Sequence, residues 1–127
     1  MYIITSQIIS CINTGKITAS NSGSGPHGTG GIGGIVARIT TGIISNNINL
    51  GTIEGQNNVG GIVGEGISPI STPTQIINNI NSGYIKGDKA VGGIVGIMPS
   101  TPPIISNCIN TGVIEGEEDV GAIVGKE

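Results

Sequence analysis

The side chains able to do nucleophilic or acid–base work in this chain are few: one histidine, His27, and two cysteines, Cys11 and Cys108. A serine or cysteine nucleophile needs an imidazole held rigidly within hydrogen-bond reach. His27 lies beside Pro26 in a Ser/Gly-rich stretch, so it reads as an exposed loop histidine. A single imidazole also leaves no histidine-based metal cluster. Gly28-Thr29-Gly30-Gly31-Ile32-Gly33 fits the G-x-G-x-x-G spacing of dinucleotide-binding turns. That spacing carries meaning only after a strand, before a helix and with an acid about 20 residues on. In a chain with 24 Gly a chance match is expected, and the residues after Gly33 read as strand. Arg38 is the sole arginine, and Tyr2 and Tyr84 are the only aromatic rings. A polysaccharide lyase needs clustered carboxylates or a basic group on one face, and sugar sites favour aromatic platforms. The chemistry-bearing residues therefore predict no catalytic, cofactor-binding or metal site, and no enzyme.

The elements that would hold such residues are announced by composition. Among 127 residues there are 27 Ile and 24 Gly, against one Leu, no Phe and no Trp. Isoleucine is stiff at χ1 and suits a pleated strand, while good helix formers are scarce. The fold class is all-β. Five Lys and Arg against eight Asp and Glu give a net charge of −3, and Lys16, Arg38, Lys86, Lys89 and Lys126 are scattered. Nucleic-acid binding needs a basic stripe, so none is expected. The apolar stretches are short and broken by Gly, far from the ~20 residues a membrane helix requires, and Met1 to Ser10 lacks the basic start of a secretory signal.

Repetition organises the rest. Ile12-Asn13-Thr14-Gly15 recurs as Ile48-Asn49-Leu50-Gly51, Ile80-Asn81-Ser82-Gly83 and Ile109-Asn110-Thr111-Gly112. Ile8, Ile44, Ile76 and Ile105 stand four positions earlier. Val59-Gly60-Gly61-Ile62-Val63-Gly64 has counterparts beginning at Val91 and Val120, and a looser one at Ile32. The copies cover about 7–37, 43–64, 75–96 and 104–125 of one domain, residues 1–127, with insertions at about 20–29, 65–74 and 97–103. Each copy reads as about three short strands: Ile-x-x-x-Ile, a segment around Ile17, Ile53, Ile85 or Ile114, and Val-Gly-Gly-Ile-Val. The Asn-x-Gly corner suits residues that tolerate positive φ. A unit this short cannot bury its own apolar face, so copies must stack at a spacing of about 4.8 Å. The expected architecture is a β-solenoid of four rungs, with Ile ladders inside and an Asn ladder at a corner. A propeller, the rival, needs about 40–45 residues per blade. Ile62 and Val63 are adjacent, so either one points outward or a bulge at the glycines shifts the register.

Cys11 and Cys108 fill one position in the first and last copies, where Asn47 and Asn79 stand between. Three rungs apart, roughly 14 Å, they are too distant for a disulfide, and free thiols are expected. Glu115, Glu117, Glu118 and Asp119 crowd one corner and are chemically able to hold a hard cation. The equivalent corners read Gln56-Asn57-Asn58 and Asp88-Lys89-Ala90, which favours a solvated corner.

The order Gly42-Ile43-Ile44-Ser45-Asn46, Gly51-Thr52-Ile53, Gly55, then Val59-Gly60-Gly61-Ile62-Val63-Gly64 resembles the GLUG motif, with Ile where that motif has Leu. Four copies in order cover most of the chain, departing from the pattern at Ala19, Ala37 and Ala122. The resemblance implies a repeat module of large bacterial surface or secreted proteins, including adhesins, with no catalytic residues and an extracellular or cell-surface location. Insertions 65–74 and 97–103 both follow the Gly-Gly-Ile-Val segment, where they either form a protein- or glycan-binding corner or cover apolar residues. The column Thr14, Leu50, Ser82 and Thr111 supplies an alternative, ice-binding reading, beside that of a carbohydrate-binding β-solenoid. Open strand edges predict edge-to-edge self-association or adjoining repeats, and a start within a repeat and a stop after Gly125 predict a segment of a longer array.

Overall fold

The computed structural model describes residues 6–19, 31–68, 72–98 and 101–127. The first copy supplies β1 (Ser6–Ile9), β2 (Ile12–Asn13), β3 (Ile17–Thr18), β4 (Ile32–Gly33) and β5 (Val36–Ile39). The second supplies β6 (Gly42–Ser45), β7 (Ile48–Asn49), β8 (Ile53–Glu54), β9 (Asn57–Gly60) and β10 (Val63–Gly66). The third supplies β11 (Gln75–Ile77), β12 (Ile80–Asn81), β13 (Ile85–Lys86), β14 (Lys89–Gly92) and β15 (Val95–Ile97). The last supplies β16 (Ile104–Ser106), β17 (Ile109–Asn110), β18 (Ile114–Glu115), β19 (Glu118–Gly121) and β20 (Val124–Lys126). Every strand pairs in parallel with its equivalent in the neighbouring copy, which builds five sheets of four strands. Among the described residues there is no helix, so none is long and apolar enough to cross a membrane.

This is an all-β solenoid of stacked parallel strands, but its finer plan differs from the sequence expectation. Five strands form per copy instead of three, and about three full turns carry the chain from β1 to β16. Two of the expected strands are each cut by a corner. The Ile-x-x-x-Ile segment breaks where Ser10, Asn46, Asn78 and Asn107 adopt φ of 59°, 57°, 55° and 52°. Left-handed backbone is costly for a residue with a Cβ, and Asn is among the few that visit it routinely. The Val-Gly-Gly-Ile-Val segment breaks between β9 and β10, and again between β14 and β15. Ile62 and Val63 therefore need not face opposite sides, and both are fully buried.

Because Asn46 is exposed, its corner can be tested free of packing effects. Asn46→Ala is expected to lower stability by about 1 kcal/mol, the Cβ cost of left-handed backbone, while Asn46→Gly is expected to lose none of it. Urea unfolding of both variants reads the difference.

The same corner decides which isoleucines are inside. Ile44 and Ile76 are buried, whereas Ile12 and Ile109, expected in the interior ladder, are 62% and 53% exposed, and Ile48 and Ile80 are half-buried. One left-handed residue between them turns the next strand over. In its place Asn13, Asn49, Asn81 and Asn110 point inward.

Two apolar clusters fill the coil. One gathers Ile39, Ile44, Ile62, Val63, Ile76, Ile94, Val95 and Met98, the other Ile32, Ile53, Val59, Ile85 and Val91. Ile53→Ala is expected to cost about 2–5 kcal/mol, the usual cost of emptying a buried branched side chain. Ile12→Ala, on the outer face of the next strand column, is expected to shift stability by no more than about 0.5 kcal/mol. Chemical denaturation of the pair reports which ladder is the core.

Candidate functional site

Among the described residues, the interior polar column links side chains of all four copies by hydrogen bonds. Asn13 Nδ2 donates to Asn49 Oδ1, Asn49 Nδ2 to Asn81 Oδ1, and Asn81 Nδ2 to Asn110 Oδ1, each at 2.8 Å. Every one of these amides also donates to the carbonyl of the glycine two residues on, at 3.0–3.3 Å. Its Oδ1 accepts that glycine's N–H at 3.2 Å. Asn49 and Asn81 thereby use both donors and both acceptor positions, as a buried amide must. The ladder is structural, since no polar group in its centre is left for a ligand.

Glycine makes room for it. A Cβ at Gly61 would stand 2.7 Å from Asn81 Cγ, and one at Gly93 would stand 2.6 Å from Asn110 Cγ. The Asn-x-Gly glycines have a different reason than the positive φ expected for them. Gly42 is the only described glycine in that conformation. Instead, a Cβ at Gly51 would lie 2.0 Å from Gly15 O.

A second column runs Cys11, Asn47, Asn79, Cys108. Cys11 N donates to Asn47 Oδ1 at 2.8 Å, and Asn47 N donates to Asn79 Oδ1 at 3.0 Å. Asn47 and Asn79 also donate from Nδ2 to Ile8 O and Ile44 O. Both cysteines are free thiols; Cys11 is exposed and Cys108 is half-buried. Neither has an imidazole placed against it among the described residues, and His27 lies outside those residues. Of the G-x-G-x-x-G stretch, Gly28 to Gly30 also lie outside them. Ile32–Gly33 forms β4 and the next element is β5, so no helix N-terminus follows to receive a phosphate.

Eight of the charged residues form four ion pairs, three of them between copies. Lys16 Nζ lies 3.2 Å from Glu54, and Lys89 Nζ lies 3.1 Å from Glu118. Lys126 Nζ is 3.3 Å from Asp119. Arg38 Nε is 3.6 Å from the fully buried Glu65. Tyr84 OH donates to Glu115. Three of the four acids at that corner, Glu115, Glu118 and Asp119, are thus engaged by Tyr84, Lys89 and Lys126. Among the described residues no three His, Cys, Asp or Glu side chains gather as metal ligands would. An open groove of about 340 Å³ is lined by Thr18, Ala19, Glu54, Gly55, Gln56, Lys86 and Asp88. Its alternating charges and lack of large apolar side chains give a small molecule little to hold.

No family model, curated protein or solved structure matches this chain. The surface itself must therefore supply the functional reading.

Two surface features stand out. The first is the corner after β10 and β15, where both Pro-containing insertions leave the coil. Met98 and Pro103 are buried there, and Pro103 Cγ approaches the Gly66 position to within 3.2 Å of where a Cβ would sit. Thr74 N donates to Ser68 Oγ at 2.9 Å and Thr74 Oγ1 donates to Ile67 O at 2.8 Å. These inner residues cover the first apolar cluster, while Thr72, Pro73, Thr101 and Pro102 face solvent. Pro26, Pro69 and Pro99 lie outside the described residues.

Of the second feature, the Thr14 column was legible in the sequence and the isoleucines beside it were not. The outer face of the sheet β2–β7–β12–β17 carries the column Ile12, Ile48, Ile80 and Ile109. Beside it runs the exposed column Thr14, Leu50, Ser82 and Thr111, in which Ser82 and Thr111 hydroxyls lie 2.9 Å apart. Asn-x-Gly is the signal for it: an amide bonded to the glycine two residues on must turn inward, which sends its neighbours out.

Proposed function

We propose that the chain is a non-catalytic structural and adhesive repeat module of a bacterial surface or secreted protein, acting as a segment of a longer array outside the cell. The observation that carries the reading is the double insertion corner. It is rooted in the core by Met98 and Pro103 and offers Thr72, Pro73, Thr101 and Pro102 to solvent. Loops presented on one edge of a rigid repeat are the usual recognition surface of such folds. The resemblance to the GLUG motif and the use of charged side chains in pairs support the same reading. Its ligand class is a glycan or matrix protein.

The test is retention of the full chain on immobilised polysaccharides and matrix proteins. Replacing Thr72, Pro73, Thr101 and Pro102 together by Gly is expected to abolish retention while circular dichroism stays β-type. Equal retention of that variant, or turnover of any polysaccharide, would overturn the proposal. The paired outward columns favour a second reading, adsorption to ice, whose readout is thermal hysteresis lost in Thr111→Lys. Leu50 interrupts the hydroxyl column, which ranks this reading second.

A further inference from the structure

Two rows of glycine face along the coil axis, in opposite directions. A Cβ at Gly34, Gly61 or Gly93 would lie 2.3, 2.2 or 2.1 Å from the carbonyl oxygen of Gly61, Gly93 or Ala122, its equivalent in the following copy. A Cβ at Gly64, Gly96 or Gly125 would look back instead, 2.5 Å from Ile32 N, 2.7 Å from Val59 N or 2.5 Å from Val91 N in the preceding copy. These are backbone atoms tied into parallel ladders, so nothing rotates aside to admit a methyl group.

Each row ends in an alanine. The forward row runs Gly34, Gly61, Gly93, Ala122, and the backward row runs Ala37, Gly64, Gly96, Gly125. The first copy thus has glycine where it faces the stack, at Gly34, and alanine where it faces away, at Ala37. The last copy does the same with Gly125 and Ala122. Both alanines are exposed, whereas Gly61, Gly64, Gly93 and Gly96 are buried. Ala19 follows the same rule: a Cβ at its counterparts Gly87 and Gly116 would stand 2.9 Å from Val59 Cγ2 and Val91 Cγ2 of the preceding copy. All three alanines that replace a repeat glycine therefore point off the stack, and none points into it.

We propose that Ala37 and Ala122 are steric stops that close both faces of the four-copy stack to any further in-register rung of this repeat, whether a second molecule offers it or more of the same polypeptide does. Parallel edges rich in Ile are otherwise templates for strand addition, and a repeat stack needs a feature that ends it. A rung set on the last copy would put its carbonyl oxygen 2.1–2.3 Å from the Ala122 methyl, by the distances inside the stack. Relieving that overlap means parting the layers beyond the reach of their hydrogen bonds. Gly15 belongs to a third row, which faces back, and stays glycine; the first face is closed at Ala19 and Ala37. The inference goes beyond the adhesive reading and is independent of what precedes Met1 or follows Glu127. An array of such modules is then a string of four-rung blocks.

The test offers the full chain a fifth rung. Residues 67–96 are appended directly after Glu127, so that the new rung brings Gly96 at its backward-facing position and sets Lys86 and Lys89 over Glu115 and Glu118, as the third copy does from the other side. With Ala122 in place, the added residues are expected to exchange their amide hydrogens as an unfolded tail and to be trimmed off by protease. With Ala122→Gly they are expected to become protected and to resist trimming. Ala122→Ser, which keeps a Cβ, is expected to behave as Ala122 does. The mirror chain carries residues 42–68 before Met1, with Ala19→Gly and Ala37→Gly made together, and is read in the same way. Circular dichroism of the 127-residue chain with each substitution serves as the folding control. Protection of the added rung over Ala122 or over serine would overturn the proposal, and so would an added rung left unprotected over glycine.

Discussion

Gly60→Ala is expected to abolish cooperative folding. A Cβ at that position would lie 1.9 Å from Val63 O, 2.8 Å from Gly96 N and 2.9 Å from Ile94 O. All three are backbone atoms, fixed by the corner that follows and by the copy above, so no rotamer change relieves the overlap. The backbone there is not left-handed, and the demand is for space alone. A cost above about 4 kcal/mol, the range reserved for severe core lesions, removes most of the stability of a domain at the lower end of the typical 5–15 kcal/mol. Gly15 makes the control. Its nearest neighbour would be Asn13 Oδ1 at 3.8 Å, and Gly15→Ala is expected to stay within about 0.5 kcal/mol of wild type. Circular dichroism and urea titration of the two variants decide the point: a folded Gly60→Ala with a near-native midpoint would show that the wall of the coil is looser than drawn.

Asn81→Ala carries the second large effect. Asn81 donates to Asn110 Oδ1 and Gly83 O, and accepts from Asn49 Nδ2 and Gly83 N, with no solvent exposure. Truncation removes one bond from each of those four groups: Asn110 Oδ1 keeps Gly112 N, Asn49 Nδ2 keeps Gly51 O and Gly83 N keeps Asn49 O, while Gly83 O loses its amide donor. Four hydrogen bonds at roughly 0.5–1.5 kcal/mol each give an expected loss of about 4 kcal/mol. Asn13→Ala removes the same residue type where water reaches the bonds, and about 1 kcal/mol is expected there. The comparison needs urea midpoints at unchanged denaturant slope. If the two substitutions cost the same, the ladder is not what locks the layers together.

The glycine and asparagine effects have one origin. In a parallel stack each residue sits on its own equivalent, so a solution found once is repeated at about 4.8 Å intervals. An amide is suited to such a column because it carries donor and acceptor on one planar group. The copy above then dictates glycine on the opposite wall at Gly34, Gly61 and Gly93, where a Cβ would meet its backbone oxygen at 2.1–2.3 Å and its amide at 2.6–2.9 Å.

The repeat, the β class, the stacking of copies and the single position shared by Cys11 and Cys108 were legible in residue order, because a recurring residue type at a recurring place is itself a record of vertical alignment. What escaped was the path within each turn. Alternation along Ile44 to Ile48 assumes an unbroken strand, and Asn46 breaks it. The outward-facing Ile column was hidden for the same reason, although the Thr14, Leu50, Ser82 and Thr111 column beside it could be read. Cross-copy pairs such as Lys16–Glu54 and Lys89–Glu118 could not be read either, since the repeat does not conserve charge from copy to copy.

Sequence alone therefore determined that equivalent residues of successive copies would meet, since a short apolar unit rich in Ile and Gly has no other way to leave water. Only the tertiary structure decided which side of the wall each residue occupies. That choice hangs on single backbone corners, where about 1 kcal/mol of left-handed strain is outweighed by the burial and hydrogen bonding that the turn permits.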